Sequence, residues 1–239
     1  MPDDALPTPD RVLVVAAHPD DIEFGAAGTV ARWVGEGATV AYLLVTRGDK
    51  GSDDRDVDVA ELTVTRMAEQ RAAATELGVT RVDFLDEPDG QVEPSLALRE
   101  RITYAIRSFQ PEVVMSHDPT VLFVNNEWVN HPDHRAVGQT TVDAVFPTAR
   151  DPLNFREHLD AGLEPWKVAE LYLWSTNEAN QLVDIGGTIE RKVASLAQHA
   201  SQFRDFDSVA RWVRRRREEL GERAGYRAAE GFRRVTLAR

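Results

Sequence analysis

The chain of 239 residues has no cysteine, which excludes disulfides, thiolate metal ligands and a cysteine nucleophile together. It is short of positive charge: 28 Lys and Arg stand against 40 Asp and Glu, for a net charge of -12. That excess repels a phosphate backbone and an anionic bilayer, so neither nucleic acid nor membrane is expected as a partner. Long hydrophobic runs are also missing. The first apolar stretch, residues 12–17, is too short for a signal h-region or a membrane span, and with the acidic start Met1-Pro2-Asp3-Asp4 it predicts a cytoplasmic protein. Internal repeats and low-complexity segments are absent. The remainder is ordinary globular composition, 42% hydrophobic, at a length that fits one sizeable domain.

Residues 1–10, with three prolines and three aspartates, read as a flexible tail. Residues 11–204 then alternate. Strands are expected at 11–17, 39–45, 81–85, 112–116, 169–174 and 182–185, and helices at 24–36, 64–77, 96–109, 132–146 and 188–203. Continuous β-branched runs such as 39–45 are what a strand buried on both faces requires. The alternation predicts an α/β, Rossmann-like domain: a mostly parallel sheet flanked by helices, with its site at the C-terminal ends of the strands. Residues 117–130 read as an irregular loop, and 147–165 as an excursion rich in Pro, Asp and Arg. Residues 205–239 read as a charged helical extension; the run Arg214 to Arg217 is answered at once by Glu218, Glu219 and Glu222, which favours a solvated or oligomer-facing helix.

The chemistry gathers in two clusters. His18-Pro19-Asp20-Asp21 follows the first strand, and His131-Pro132-Asp133-His134 opens a helix whose first turn tolerates Pro132. His18, Asp21 and His134 supply two nitrogens and one oxygen, a set that leaves a zinc ion's fourth position open; ferrous iron also accepts it. Such an ion lowers the pKa of its water to about 7. Asp20 is then placed to act as general base, and His131 to hold a developing oxyanion or to protonate a leaving amine. Gly25-Ala26-Ala27-Gly28 lacks dinucleotide-loop spacing. The acidic stretch 49–58 lacks the EF-hand pattern and reads as a flap near the site. His117 and Asp118 follow a strand end at the site mouth, and His199 is expected on a helix as core, surface or lid.

These motifs resemble the two hallmarks of the PIG-L/LmbE-like family of zinc-dependent N-deacetylases. The likeness extends to Ile22-Glu23-Phe24-Gly25, Arg66-Met67-Ala68-Glu69, Pro88-Asp89-Gly90, Ser116-His117-Asp118-Pro119 and His199-Ala200-Ser201-Gln202. It implies His18, Asp21 and His134 as metal ligands, Asp20 as base and His131 as electrostatic partner. It also implies Arg66 and Asp89 as sugar-binding residues, a small N-acetylated amino-sugar conjugate as substrate, and a homo-oligomer; Asp118, at the site mouth, and His199 are further substrate-binding candidates. Ile22 stands where many members carry Glu, and Val129 where mycothiol-type deacetylases carry Tyr, beside Trp128. A metal-containing sugar-binding protein without turnover, or a hydrolase of another bond, remain the alternatives.

Overall fold

The computed structural model describes residues 7–238, so most of the tail read at 1–10 lies outside the described residues. In chain order the elements are β1 (Arg11–Ala16), α1 (Asp21–Gly25), α2 (Ala27–Gly35), β2 (Thr39–Thr46), α3 (Val59–Glu76), β3 (Arg81–Glu87), α4 (Leu96–Phe109) and β4 (Val113–His117). There follow β5 (Phe123–Val124), β6 (Trp128–Val129), α5 (Pro132–Val145), α6 (Glu157–Asp160), β7 (Glu170–Trp174), β8 (Gln181–Asp184), α7 (Ile189–Leu196), α8 (Phe206–Glu222) and β9 (Ala229–Thr236).

Seven strands form one sheet in the order β3-β2-β1-β4-β7-β9-β8. The first five run parallel, and only β9 is antiparallel to its neighbours β7 and β8. Along β1, Val12, Val14 and Ala16 enter one core while Leu13, Val15 and Ala17 enter the other. Both faces are therefore covered, as a central parallel strand demands. The chain builds outward from β1 through β2 to β3, then returns to start again at β4 on β1's other side. The crevice at the carboxyl ends of β1 and β4 is thus a topological switch point, where ligands bind in open α/β sheets.

Four expectations change. The helix read at 24–36 is two helices broken at Ala26, which has φ -139°. The break leaves the carbonyls of Glu23 and Phe24 without helical partners, and Lys192 Nζ donates to both (2.7 and 2.9 Å) while Arg217 Nη2 donates to Phe24 (2.6 Å). The helix read at 188–203 stops at Leu196, so His199 lies in the turn beyond it. The extension read as helical through 239 instead turns at Gly225 (φ +77°) and returns as β9 inside the sheet. Its Glu230 is fully buried, accepts from Gly28 N, Thr29 N and Thr29 Oγ1 at the start of α2, and pairs with Lys192 at 2.6 Å. The loop read at 117–130 contains the short β5–β6 hairpin. Among the described residues no helix is long and apolar enough to cross a membrane.

Gly138 brings α5 onto the end of β4: a Cβ there would lie 2.5 Å from the His117 carbonyl oxygen. Gly138→Ala must push the helix carrying His131 and His134 away from the strand carrying His117. The expected loss is about 1–3 kcal/mol of stability, read from a denaturant melt; an unchanged midpoint would show that α5 seats itself by other contacts.

Candidate active site

Each functional side chain is delivered by the end of an element at the switch point. His18 follows β1, Asp21 is the first residue of α1, His117 ends β4, and His131 is the N-cap of α5. Asp21 is the hub. Its Oδ2 accepts the His18 backbone N–H at 2.7 Å and lies 3.4 Å from His18 Nδ1, while its Oδ1 lies 3.0 Å from His134 Nε2. Burial favours the neutral acid, but the His134 and His117 rings beside it hold the Asp21 carboxyl well below the usual carboxylate range.

On its far side His18 faces two more carboxylates: Nε2 lies 3.1 Å from Asp133 Oδ2 and 3.2 Å from Asp89 Oδ1. Burial alone would lower this imidazole, yet its hydrogen bonds to Asp133, Asp21 and Asp89 push it up to about 12. Three carboxylates around one ring make a place that favours positive charge. A divalent cation satisfies the same demand: with Nε2–H donated to Asp133, Nδ1 would be free to bind one, the arrangement in which a carboxylate orients a metal-binding histidine. The donor set therefore fits a metal. Two groupings of nitrogen and oxygen atoms close enough to share an ion include His134: one with His18 and His131, the other with Asp21 and His117.

His117 was left without a role by the sequence. Its ring stacks on His134, with centroids 4.2 Å apart at 18°. Trp174 Nε1 donates to its Nδ1 at 3.1 Å, and the Ala17 N–H faces its Nε2 at 3.2 Å. Burial, with His134 alongside, pushes this imidazole down to about 4. Neutral and immobile, it presents Nε2 3.4 Å from Asp21 Oδ2 and backs both Asp21 and His134.

Asp133 is the other residue that sequence reasoning passed over. It lies inside the His131 to His134 motif. It is fully buried, and its carboxylate also accepts from Gly90 N (2.7 Å) and Val92 N (3.3 Å). The signal was available, because a ligating histidine needs an acceptor for its other nitrogen. Asp133→Asn is expected to weaken metal binding about 10–100-fold, measured by competition with a chromogenic chelator. Unchanged affinity would dismiss this role for Asp133.

Asp20 has φ 95° and ψ -23°, a left-handed conformation unusual outside glycine. Its N–H donates to Gln70 Oε1 at 3.0 Å, and its Oδ2 accepts from Arg66 Nη2 at 3.2 Å. Its side chain keeps 19% of its surface exposed. Burial raises this carboxyl to about 6 against the pull of Arg66. His131 uses Nδ1 to accept the Asp133 N–H at 3.2 Å, so its proton sits on Nε2. Burial and the neighbouring His18 and His134 lower its pKa, which keeps the ring a neutral donor.

The four residues expected to bind substrate fare differently. Asp89 reaches the cluster, with Oδ1 toward His18 and Oδ2 accepting from Lys50 N at 3.1 Å. Arg66 is buried and turned to protein acceptors: Gly48 O (3.0 Å), Pro19 O (2.6 Å) and Asp20. From there it fixes Asp20. Asp118 is fully buried, with Oδ1 accepting from Thr120 N and Oγ1 (2.9 and 2.6 Å) to shape its own loop. His199 is also fully buried, with Nε2 3.1 Å from Glu23 Oε2. Asp118 is buried because a strand end points to the site region but not to solvent, and His199 lies in a turn because its helix ends early.

Comparison with known proteins agrees with this architecture. The diacetylchitobiose deacetylase of Thermococcus kodakarensis is 32% identical over 225 residues, covering 93% of this chain and 82% of that protein. The 1D-myo-inositol 2-acetamido-2-deoxy-alpha-D-glucopyranoside deacetylase of Kineococcus radiotolerans is 32% identical over 198 residues, 70% of this chain and 52% of that one. Among solved structures, the N,N'-diacetylchitobiose deacetylase of Pyrococcus horikoshii, bound to its inhibitor MPG, superposes with a TM-score of 0.88 at 30% identity, covering 95% of this chain and 84% of that one. The GlcNAc-PI de-N-acetylase family, PIG-L, matches residues 13–145, the span that holds both histidine clusters, and the chain belongs to that family.

Proposed function

We propose that the protein is a zinc-dependent N-deacetylase that hydrolyses the acetamide of an N-acetylglucosamine-containing small molecule. The observation that carries this reading is Asp20: a strained, partly exposed carboxylate set beside the Asp21–His18–His134 cluster and fixed by α3. A binding protein has no need of a base held in that way. His18, Asp21 and His134 would hold the ion, which when bound lowers the pKa of water and polarises a carbonyl.

The chain's own groups do the rest. Asp20, with its carboxyl raised toward neutrality, takes a proton from the attacking water as the new C–O bond forms. His131 donates Nε2–H to the carbonyl oxygen as that oxygen gains negative charge. The proton held on Asp20 passes to the nitrogen as the C–N bond breaks. Acetate and a free amine leave.

A panel of N-acetylated sugars tests the substrate class: N-acetylglucosamine, N,N'-diacetylchitobiose and glucosaminyl conjugates with neutral aglycones, with free amine measured after zinc or ferrous loading. Turnover of at least one amino sugar is expected. Full metal occupancy without amine release from any of them would favour a binding protein.

A further inference from the structure

Three fully buried polar residues, Gln70, Glu23 and His199, have no part in the reaction as described. They form a line. Gln70 Oε1 accepts the Asp20 N–H at 3.0 Å, Gln70 Nε2 donates to Glu23 Oε1 at 3.1 Å, and Glu23 Oε2 meets His199 Nε2 at 3.1 Å. A carboxylate only accepts, so Glu23 dictates which way the Gln70 amide faces and keeps its oxygen toward Asp20. His199 in turn holds the second oxygen of Glu23. The only described hydrogen bond of this line to the reaction centre is the one to the backbone of Asp20.

That backbone is where support is needed. A non-glycine residue at φ 95° lies in a sparsely populated region and persists only when its surroundings over-determine it. Arg66, one turn before Gln70 on the same face of α3, donates to Pro19 O at 2.6 Å and to Asp20 Oδ2 at 3.2 Å. Asp20 is thus gripped at its N–H, its carboxylate and the preceding carbonyl. Burying a carboxylate and an imidazole merely to fill space is unfavourable beside apolar residues of similar volume. His199 even leaves Nδ1 without a partner.

We propose that Gln70, Glu23 and His199 are positioning residues that lock Asp20 in its left-handed conformation and so aim its carboxylate; the proposal rests on Asp20 being the base. Zinc-loaded Gln70→Met is expected to lose about 10–100-fold in kcat on the amino sugar turned over in that panel, with KM and metal content within about twofold of the parent. In an Asp20→Asn background the same change should add less than about twofold, because both act through one group. His199→Gln, which keeps a donor toward Glu23, should retain most activity, whereas His199→Leu should fall with Gln70→Met. In the metal-free protein the Asp20 amide should exchange its hydrogen at least about tenfold faster in Gln70→Met. If Gln70→Met does not fold, Gln70→Ala, which also removes the acceptor from the Asp20 N–H, is expected to show the same losses.

Full multiplication of the Gln70→Met and Asp20→Asn losses, or unchanged Asp20 exchange, overturns the proposal while leaving the base in place. Undiminished turnover of Asp20→Asn alone overturns the base and the proposal with it.

Discussion

Replacing Asp20 by asparagine is expected to lower kcat by about 10²–10⁴-fold, the range a positioned general base contributes, while metal content stays that of the parent. Asparagine is the substitution that isolates the proton chemistry. It tolerates a left-handed backbone as aspartate does, its amide oxygen can still accept from Arg66 Nη2, and its N–H still meets Gln70. What disappears is a carboxyl, raised by burial, able to take a proton and return it. Acetate release under saturating substrate, with metal analysis on the same sample, decides the matter. Near-parental turnover would remove Asp20 from the reaction.

His134→Ala is expected to abolish stoichiometric metal binding and take turnover to background. His134 Nε2 is 3.0 Å from Asp21 Oδ1, and its ring lies between His117, stacked at 4.2 Å, and His18, 5.3 Å away. Its loss removes one of the three proposed ligands and also the ring against which His117 packs. Changes to groups that only orient ligands cost about 10–100-fold in affinity, so removal of a ligand should exceed about 100-fold. The check is metal retained after dialysis against a weak chelator, with far-ultraviolet circular dichroism to show that the fold persists. A variant that keeps one ion per chain would shift the site to another grouping, such as His18 with Asp89 and Asp133.

Much of this was readable in the chain, for physical reasons. The run before His18 is apolar on both alternations, which only a central strand uses, so the site's place at the end of β1 followed from pattern alone. The pairing of the two histidine clusters followed from ligand chemistry. Other features depend on contacts distant in sequence and leave no local trace. Ala26 sits in a stretch that favours helix, and the break there is stabilised by Lys192 and Arg217, more than 160 residues away. The φ of Asp20 depends on Gln70 and Arg66 across about one fifth of the chain. Strand β9 was hidden by charge: Glu230, Arg233 and Arg234 read as part of a solvated helix, whereas Glu230 is neutralised in the core by Lys192 and Arg234 pairs with Glu170. Gly225 was the visible stop signal, a glycine just past a helix end. Asp133 was hidden differently. Its partner, His18, was known, but the demand of that ring's second nitrogen was not followed to an acceptor.

The most direct test strips the protein of metal with a chelator and returns zinc in steps, with acetate release from the amino sugar it turns over in the panel and bound metal measured at each step. Activity should fall to background, then rise in proportion to zinc and level off at about one ion per chain. Undiminished acetate release from protein shown to be free of metal would contradict the account.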